Sequence, residues 1–557
     1  MTGLNAIRSQ FDTLIEAYYR SWFRFHPESA VDAGVAGYAD LLTPCSDEAK
    51  GAVVCLNDEL RVALDEIDLS ALDPDRQIDA ELLHGATQLE NAHLLDIEPQ
   101  RPDPRRWLPI NAVYQLTVRP IRNLTDAFLA RVGRIPSHLR EAETDLAAKA
   151  PDVPALWAQT TARAARHGAE FILGLEQDPR LAELYRQPQT ADTIKKAADA
   201  LRRYEDFLEQ DVAPRASGDF ACGAEYFEGL LRSRHFLDVT IEQVHAFGER
   251  LFEQTRADLE AACRQLFGHG DFLRAIGEIQ TRHPSAEGLL EAYRERVRAA
   301  REFVATHGLV TLPPRERLDV IETPSFLRHE IPFAAYSEPA PNDPDQIGRY
   351  YVTPPQDAAQ LAEHDEIGLA HTCVHEAYPG HHLQFVTANG HATARSLPRL
   401  LNPSASFYEG WALYTEQLMQ EQGFLDRPES RIVLLRDRLW RALRIMLDVE
   451  LHTRGLTVDQ AAERMVKALG FPRSQAEADL AWYTRSPTVP LGYAVGWRLI
   501  NVLRAREVGA ADTPSLRMFH DRLLAAGSIA LPLVIQRMFG DATWRAVRGS
   551  VFGDVRS

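Results

Sequence analysis

Apolar residues at the start of the chain recur every three or four positions. Leu4, Ile7, Phe11, Leu14, Ile15, Tyr18 and Trp22 share one face of a 3.6-residue period, which predicts an amphipathic helix. Most of residues 50–310 have the same texture, rich in Ala, Leu, Glu and Arg, with Pro and Gly as helix stops. Arg101 to Pro109, with Pro102, Pro104 and Pro109, reads as a loop. The period breaks near Ile331. Pro332, Pro339, Pro341, Pro344, Pro354 and Pro355 exclude a helix interior over residues 331–355. The runs Phe333 to Tyr336 and Arg349 to Thr353 suit two short, exposed strands joined by a turn. After Asp357 the helical period returns. The pattern predicts a mainly α fold, with a helical region over 1–325 and a region over 326–557 holding the strands, the two forming one continuous body.

The returning helix leads into His375-Glu376-Ala377-Tyr378-Pro379-Gly380-His381-His382. It approximates the H-E-x-x-H helix, in which two His bind zinc and the Glu is the general base. The spacing departs from that motif, because Pro occupies position 379. On an unbroken helix, His381 would lie roughly 120° off the His375 face, and His382 roughly 10 Å along the axis. Neither could share a metal with His375. Pro379 removes a backbone donor and Gly380 permits unusual dihedrals, so a kink or bulge is predicted at Tyr378 to Gly380. It would return either His381 or His382 to the metal. The predicted third ligand is Glu409, 27 residues past His382 (409 − 382), enough chain for a helix, a turn and an antiparallel return. Glu416, seven positions on, shares its face and is placed to orient a His. His371, four residues before His375, offers an ordinary helical metal pair as the competing arrangement.

Composition narrows the partners. Apolar residues are 45% of the chain, ample for a large core. Lys+Arg is 61 and Asp+Glu is 79, so 61 − 79 gives a net charge of −18, which disfavours nucleic acid and anionic membrane surfaces. No apolar run approaches the roughly 18 residues of a membrane span. The five Cys are scattered and form no C-x-x-C pair, and the first residues lack a charged start followed by an apolar run. The expected compartment is reducing and cytoplasmic. No pattern specifies an oligomeric interface.

The run His375 to Gln384, followed by Glu409-Gly410-Trp411-Ala412-Leu413-Tyr414, closely resembles the family catalogued as domain of unknown function 885. That family looks like a distant branch of the zincin-type, gluzincin-like metallopeptidases, similar in architecture to helical carboxypeptidases and peptidyl-dipeptidases. The resemblance implies a large helical body with a deep cleft, a small β-sheet beside the metal-binding helix, and one zinc ion. It also implies peptidase activity of carboxypeptidase or dipeptidyl type on short peptides. Many relatives carry an export or lipoprotein signal, which the opening residues here do not resemble.

Three further residues match the family pattern. Arg444, Asp448 and His452 lie at i, i+4 and i+8, one stripe of a helix, where Arg–Asp and Asp–His contacts would follow. They read as supports of the site or as a substrate-carboxylate pocket. Arg444 and Arg485 are each candidates to receive that carboxylate. Tyr493 is the expected oxyanion donor, with Tyr483 as the alternative. Glu376 is the expected general base. Two other functions compete: a cytoplasmic amidohydrolase that removes an amino acid from a small metabolite, and a non-catalytic metal-binding scaffold. The intact Glu376 argues against the second.

Overall fold

The architecture comes from a computed structural model that describes residues 2–328, 331, 333–508 and 515–553. Pro332 lies outside them. Among these residues helices dominate, as the apolar period predicts, and one three-stranded sheet accompanies them. Two compact units divide the chain. The first is Met1–Phe220 with Pro324–Glu330 and Ala340–Asp343; the second is Ala221–Thr323 with Ile331–Pro339 and Pro344–Ser557. The textural break at 325 and the division by packing, at 220, therefore differ, and residues 221–323 belong with the site-bearing unit.

In the first unit, the helices Leu124–Lys149, Ala155–Gly174 and Pro188–Phe207 share one core. Phe128, Val132, Ile135, Leu139 and Leu146 recur at helical spacing on one side. They face a set of small residues, Ala158, Ala162, Ala165, Ala169, Ala197 and Ala198, which let helix backbones approach. Caps fix the helix starts: Ser46 accepts from the Ala49 amide and Asp73 from the Arg76 amide. The Arg101 to Pro109 loop contains one 3₁₀ turn, Pro104–Trp107.

In the second unit, β1 (Glu316–Glu322), β2 (Ala334–Ser337) and β3 (Gln346–Val352) form a sheet of order β1-β3-β2. β1 runs parallel to β3, with Val320 opposite Tyr350; β2 runs antiparallel, with Tyr336 opposite Tyr350. The two expected strands are present, and β1 is an addition. The Ser430–Thr453 helix is buried along most of its length and packs on Ile241–Phe267, where Gly248 admits Ile445: a Cβ there would lie 2.9 Å from the Ile445 side chain. The Ala405–Glu421 and Gly492–Glu507 helices cross still more closely. A Cβ on Gly496 would lie 1.8 Å from the Ser406 carbonyl oxygen, and one on Gly410 would meet the Gly496 backbone at 2.6 Å.

Candidate functional site

Asp365 starts the motif helix, accepting from the amides of Ile367 and Gly368. The helix runs Glu366–Glu376 and stops, and a second one, His381–Asn389, begins five residues later. The predicted kink is thus a complete break. Gly380 is required at it: its amide donates to the Val374 carbonyl at 3.1 Å, and an added Cβ would lie 1.9 Å from the His375 carbonyl oxygen. Trp411 Nε1 donates to the Pro379 carbonyl at 2.8 Å, tying the break to the Ala405–Glu421 helix.

The break brings His381 back over His375, with ring centroids 4.9 Å apart and planes at 90°. Glu409 completes the group. Its Oε2 lies 3.6 Å from His375 Nε2 and 3.4 Å from His381 Nε2. Ligands about 2.1 Å from a tetrahedral zinc stand roughly 3.4 Å apart, so both separations suit a shared cation. Among the described residues, His375, His381 and Glu409 form the one group of three such ligand atoms within 4.8 Å of one another. Glu409 Oε2 is buried without a hydrogen-bond donor. On a tetrahedral ion, a two-His, one-carboxylate set would leave a fourth position open, as catalytic metal sites do.

Glu416 lies against this group, its Oε1 accepting from His375 Nδ1 at 2.7 Å. That contact leaves Nε2 to face Glu409 and His381. Burial disfavours a charged His375, but Glu409 and Glu416 outweigh it and raise its pKa to about 10. Burial acts against ionisation of Glu409 too, yet His381 and His375 hold it well below the usual carboxylate range. Carboxylates and imidazoles in the cluster thus hold one another in their charged forms. Glu376 is half-buried beside it and forms no hydrogen bond among the described residues. Its carboxyl is pushed up, by burial first, with His375 and His381 opposing. His371 lies behind Glu416, its Nδ1 3.6 Å from Oε2, and does not join the group of three.

His382 faces the opposite way. Its Nε2 lies 2.9 Å from Glu316 Oε2 and its Nδ1 3.2 Å from the Tyr336 hydroxyl. Both ring nitrogens are thus engaged, and His381 is the histidine that meets Glu409. Glu316 also accepts from the Tyr378 hydroxyl and, at 2.8 Å, from Arg301 Nε. Gly348 lets His382 lie against β3, since a Cβ there would sit 2.6 Å from His382 Nδ1.

Residues 27–538 match the family described as bacterial protein of unknown function (DUF885). The chain belongs to this family. Among curated proteins none matches the sequence. Two solved structures share the fold. A candidate lipoprotein of unknown function from Shewanella oneidensis superposes with a TM-score of 0.77 at 21% identity, over 95% of this chain and 99% of that one. A candidate lipoprotein from Colwellia psychrerythraea gives 0.76 at 18% identity, over 98% of this chain and 100% of that one.

The remaining candidate residues divide into two groups. Asp448 pairs with backbone rather than with Arg444: it accepts from the amides of Thr488 and Leu491 at 3.2 and 3.3 Å. His452 Nε2 lies 3.9 Å from Asp448 and 3.1 Å from the Tyr483 carbonyl. Together they fix the turn that leads to Tyr493. Arg444 instead donates from Nε to the Tyr483 hydroxyl at 2.6 Å, and Tyr483 donates on to Asp479 at 3.1 Å. Tyr483 is fully buried and committed to these bonds. Tyr493 is half-buried, its ring 4.6 Å from the Arg444 guanidinium, and its phenol is held protonated by burial and by Glu409. Arg485 is half-buried in the turn after the Arg473–Tyr483 helix. Glu316, Tyr336 and Arg441 were not singled out from sequence. The alternation Glu316-Arg-Leu-Asp-Val-Ile-Glu322 after a Pro-Pro pair was the available signal for β1 and hence for Glu316.

Proposed function

We propose that this chain is a zinc-dependent hydrolase of peptide bonds, of carboxypeptidase or dipeptidyl type, acting on short peptides. The observation that carries the reading is the approach of His375, His381 and Glu409 beside a half-buried, unbonded Glu376. His375 Nε2, His381 Nε2 and Glu409 Oε2 would hold the ion. A bound zinc supplies Lewis-acid polarisation of a carbonyl and makes water a stronger nucleophile near neutral pH. Glu376 is the base that accepts the proton of the attacking water and returns it to the leaving amine. Its raised pKa brings that exchange closer to neutral pH. Glu416 holds His375 in the required tautomer through the 2.7 Å contact to Nδ1. Tyr493, its hydroxyl protonated, donates to the oxygen that gains charge in the transition state.

The test is a peptide-library digest with zinc-loaded protein, read by mass spectrometry, with Glu376→Gln as control. The reading expects removal of residues from one chain end by the wild type and loss of cleavage in the variant. Equal cleavage by both, or none by the wild type, would defeat it. The second outcome would favour a small-metabolite amidohydrolase.

A further inference from the structure

Beside Tyr493, on the Ser430–Thr453 helix, two guanidiniums lie against the same rings. Arg441 and Arg444 each stand 4.2 Å from the Trp440 ring centre, and they stand 5.9 and 4.6 Å from that of Tyr493. Both are well shielded, with side chains 12% and 7% exposed. Their hydrogen bonding is incomplete. Arg441 Nε and Nη1 and Arg444 Nη1 are buried without acceptors. The carboxylates in reach do not supply them. Asp437 takes hydrogen bonds from Arg436 Nε and Nη2 at 2.9 and 2.7 Å and stays 3.7 Å from Arg441. Asp479 accepts from Tyr483 and stays 3.7 Å from Arg444. Three guanidiniums thus meet two carboxylates. Buried charged donors left unmade are costly and rare in native proteins, which points to an absent anionic acceptor.

The place of the pair in the fold suggests which anion. Tyr493 lies three residues before Gly496, where the Gly492–Glu507 helix touches the Gly410 backbone, and Glu409 is the residue next to Gly410. Tyr493 therefore bridges the arginine pair and the His375–His381–Glu409 group. An anion held there would stand one tyrosine away from that group, where a terminal carboxylate of its substrate would fall. Trp440 and Trp482, the latter 5.6 Å from Arg444, add an apolar wall. Forked, planar guanidiniums suit a carboxylate.

We infer that Arg441 and Arg444 form the subsite for the free α-carboxylate of the substrate, which makes the protein a carboxypeptidase. The inference rests on the hydrolase reading above, and the test separates them. Binding of N-acetyl-phenylalanine and of its amide to zinc-loaded Glu376→Gln protein is measured by calorimetry. In parallel, wild-type cleavage is compared between a short peptide and the same peptide with an amidated C-terminus. The inference expects the acid to bind roughly tenfold or more tightly than the amide, and kcat/KM to favour the free peptide by a similar factor. Arg441→Gln should bring both ratios close to one with zinc content unchanged, and Arg444→Lys should restore part of the preference that Arg444→Gln removes. Equal binding of acid and amide, or a preference that survives both Gln variants, overturns the subsite whether or not peptides are cleaved. Absence of cleavage with the acid preference intact overturns the hydrolase reading and leaves the carboxylate subsite standing.

Discussion

His381 and His382 are chain neighbours held by different carboxylates, and that difference gives the sharpest prediction at the scale of single residues. His381 faces Glu409 at 3.4 Å, whereas His382 is held by Glu316 at 2.9 Å. His381→Ala should abolish stoichiometric zinc binding. His382→Ala removes the contact to Glu316 and none of the three ligand atoms, so it should keep one ion per chain. Metal analysis after dialysis distinguishes the two, and equal loss in both variants would refute the assignment. A second prediction concerns His375, whose pKa is raised to about 10. A cationic imidazole cannot ligate, so zinc binding must release its Nε2 proton. Apparent zinc affinity should therefore rise with pH from neutrality towards about 10. In the metal-free chain the sign is reversed: this contact stabilises fully below the unfolded His pKa of about 6.5 and is lost as pH rises through the folded value. That Glu376, Glu409 and Glu416 stand near His375 was legible because their spacing relative to it is set by one helix or by a return to it. The choice between His381 and His382 was not, because Glu316, remote in sequence, makes it.

At the scale of elements, the glycine contact between the Ala405–Glu421 and Gly492–Glu507 helices positions Glu409 against Tyr493. Gly496→Ala would force a methyl against the Ser406 carbonyl, where only backbone movement relieves it. It should destabilise the protein by about 1–3 kcal/mol or more. Gly51→Ala, in the Asp47–Asp65 helix with nothing within 4 Å of the added carbon, should stabilise by about 0.5–1 kcal/mol. Denaturant titration of both variants checks the contrast. Helices were readable because their apolar period repeats over many turns. β2 and β3 announced themselves by proline density and aromatic runs, and their observed spans, Ala334–Ser337 and Gln346–Val352, differ from the reading by up to three residues. β1 escaped because its seven residues carry three acidic groups and one arginine, a polar texture that its buried Glu316 does not betray.

At the scale of the molecule, a ligand that binds only the folded state stabilises it by mass action, by about 2.7 kcal/mol at a hundredfold excess over Kd. Chelation of zinc should therefore lower the unfolding temperature of the wild type and leave that of His381→Ala unchanged. The mainly α architecture followed from composition and period, and among the described residues no helix is long and apolar enough to cross a membrane. The division of the chain did not follow, since residues 221–323 look like the helices before them yet pack with the site-bearing unit. The most direct test of the central claim is a stoichiometric zinc titration of metal-free protein, followed by the initial rate of hydrolysis of a short free-acid peptide. One catalytic ion per chain predicts a linear rise that breaks at one zinc per chain. A rate independent of zinc, or a break at two, would contradict it.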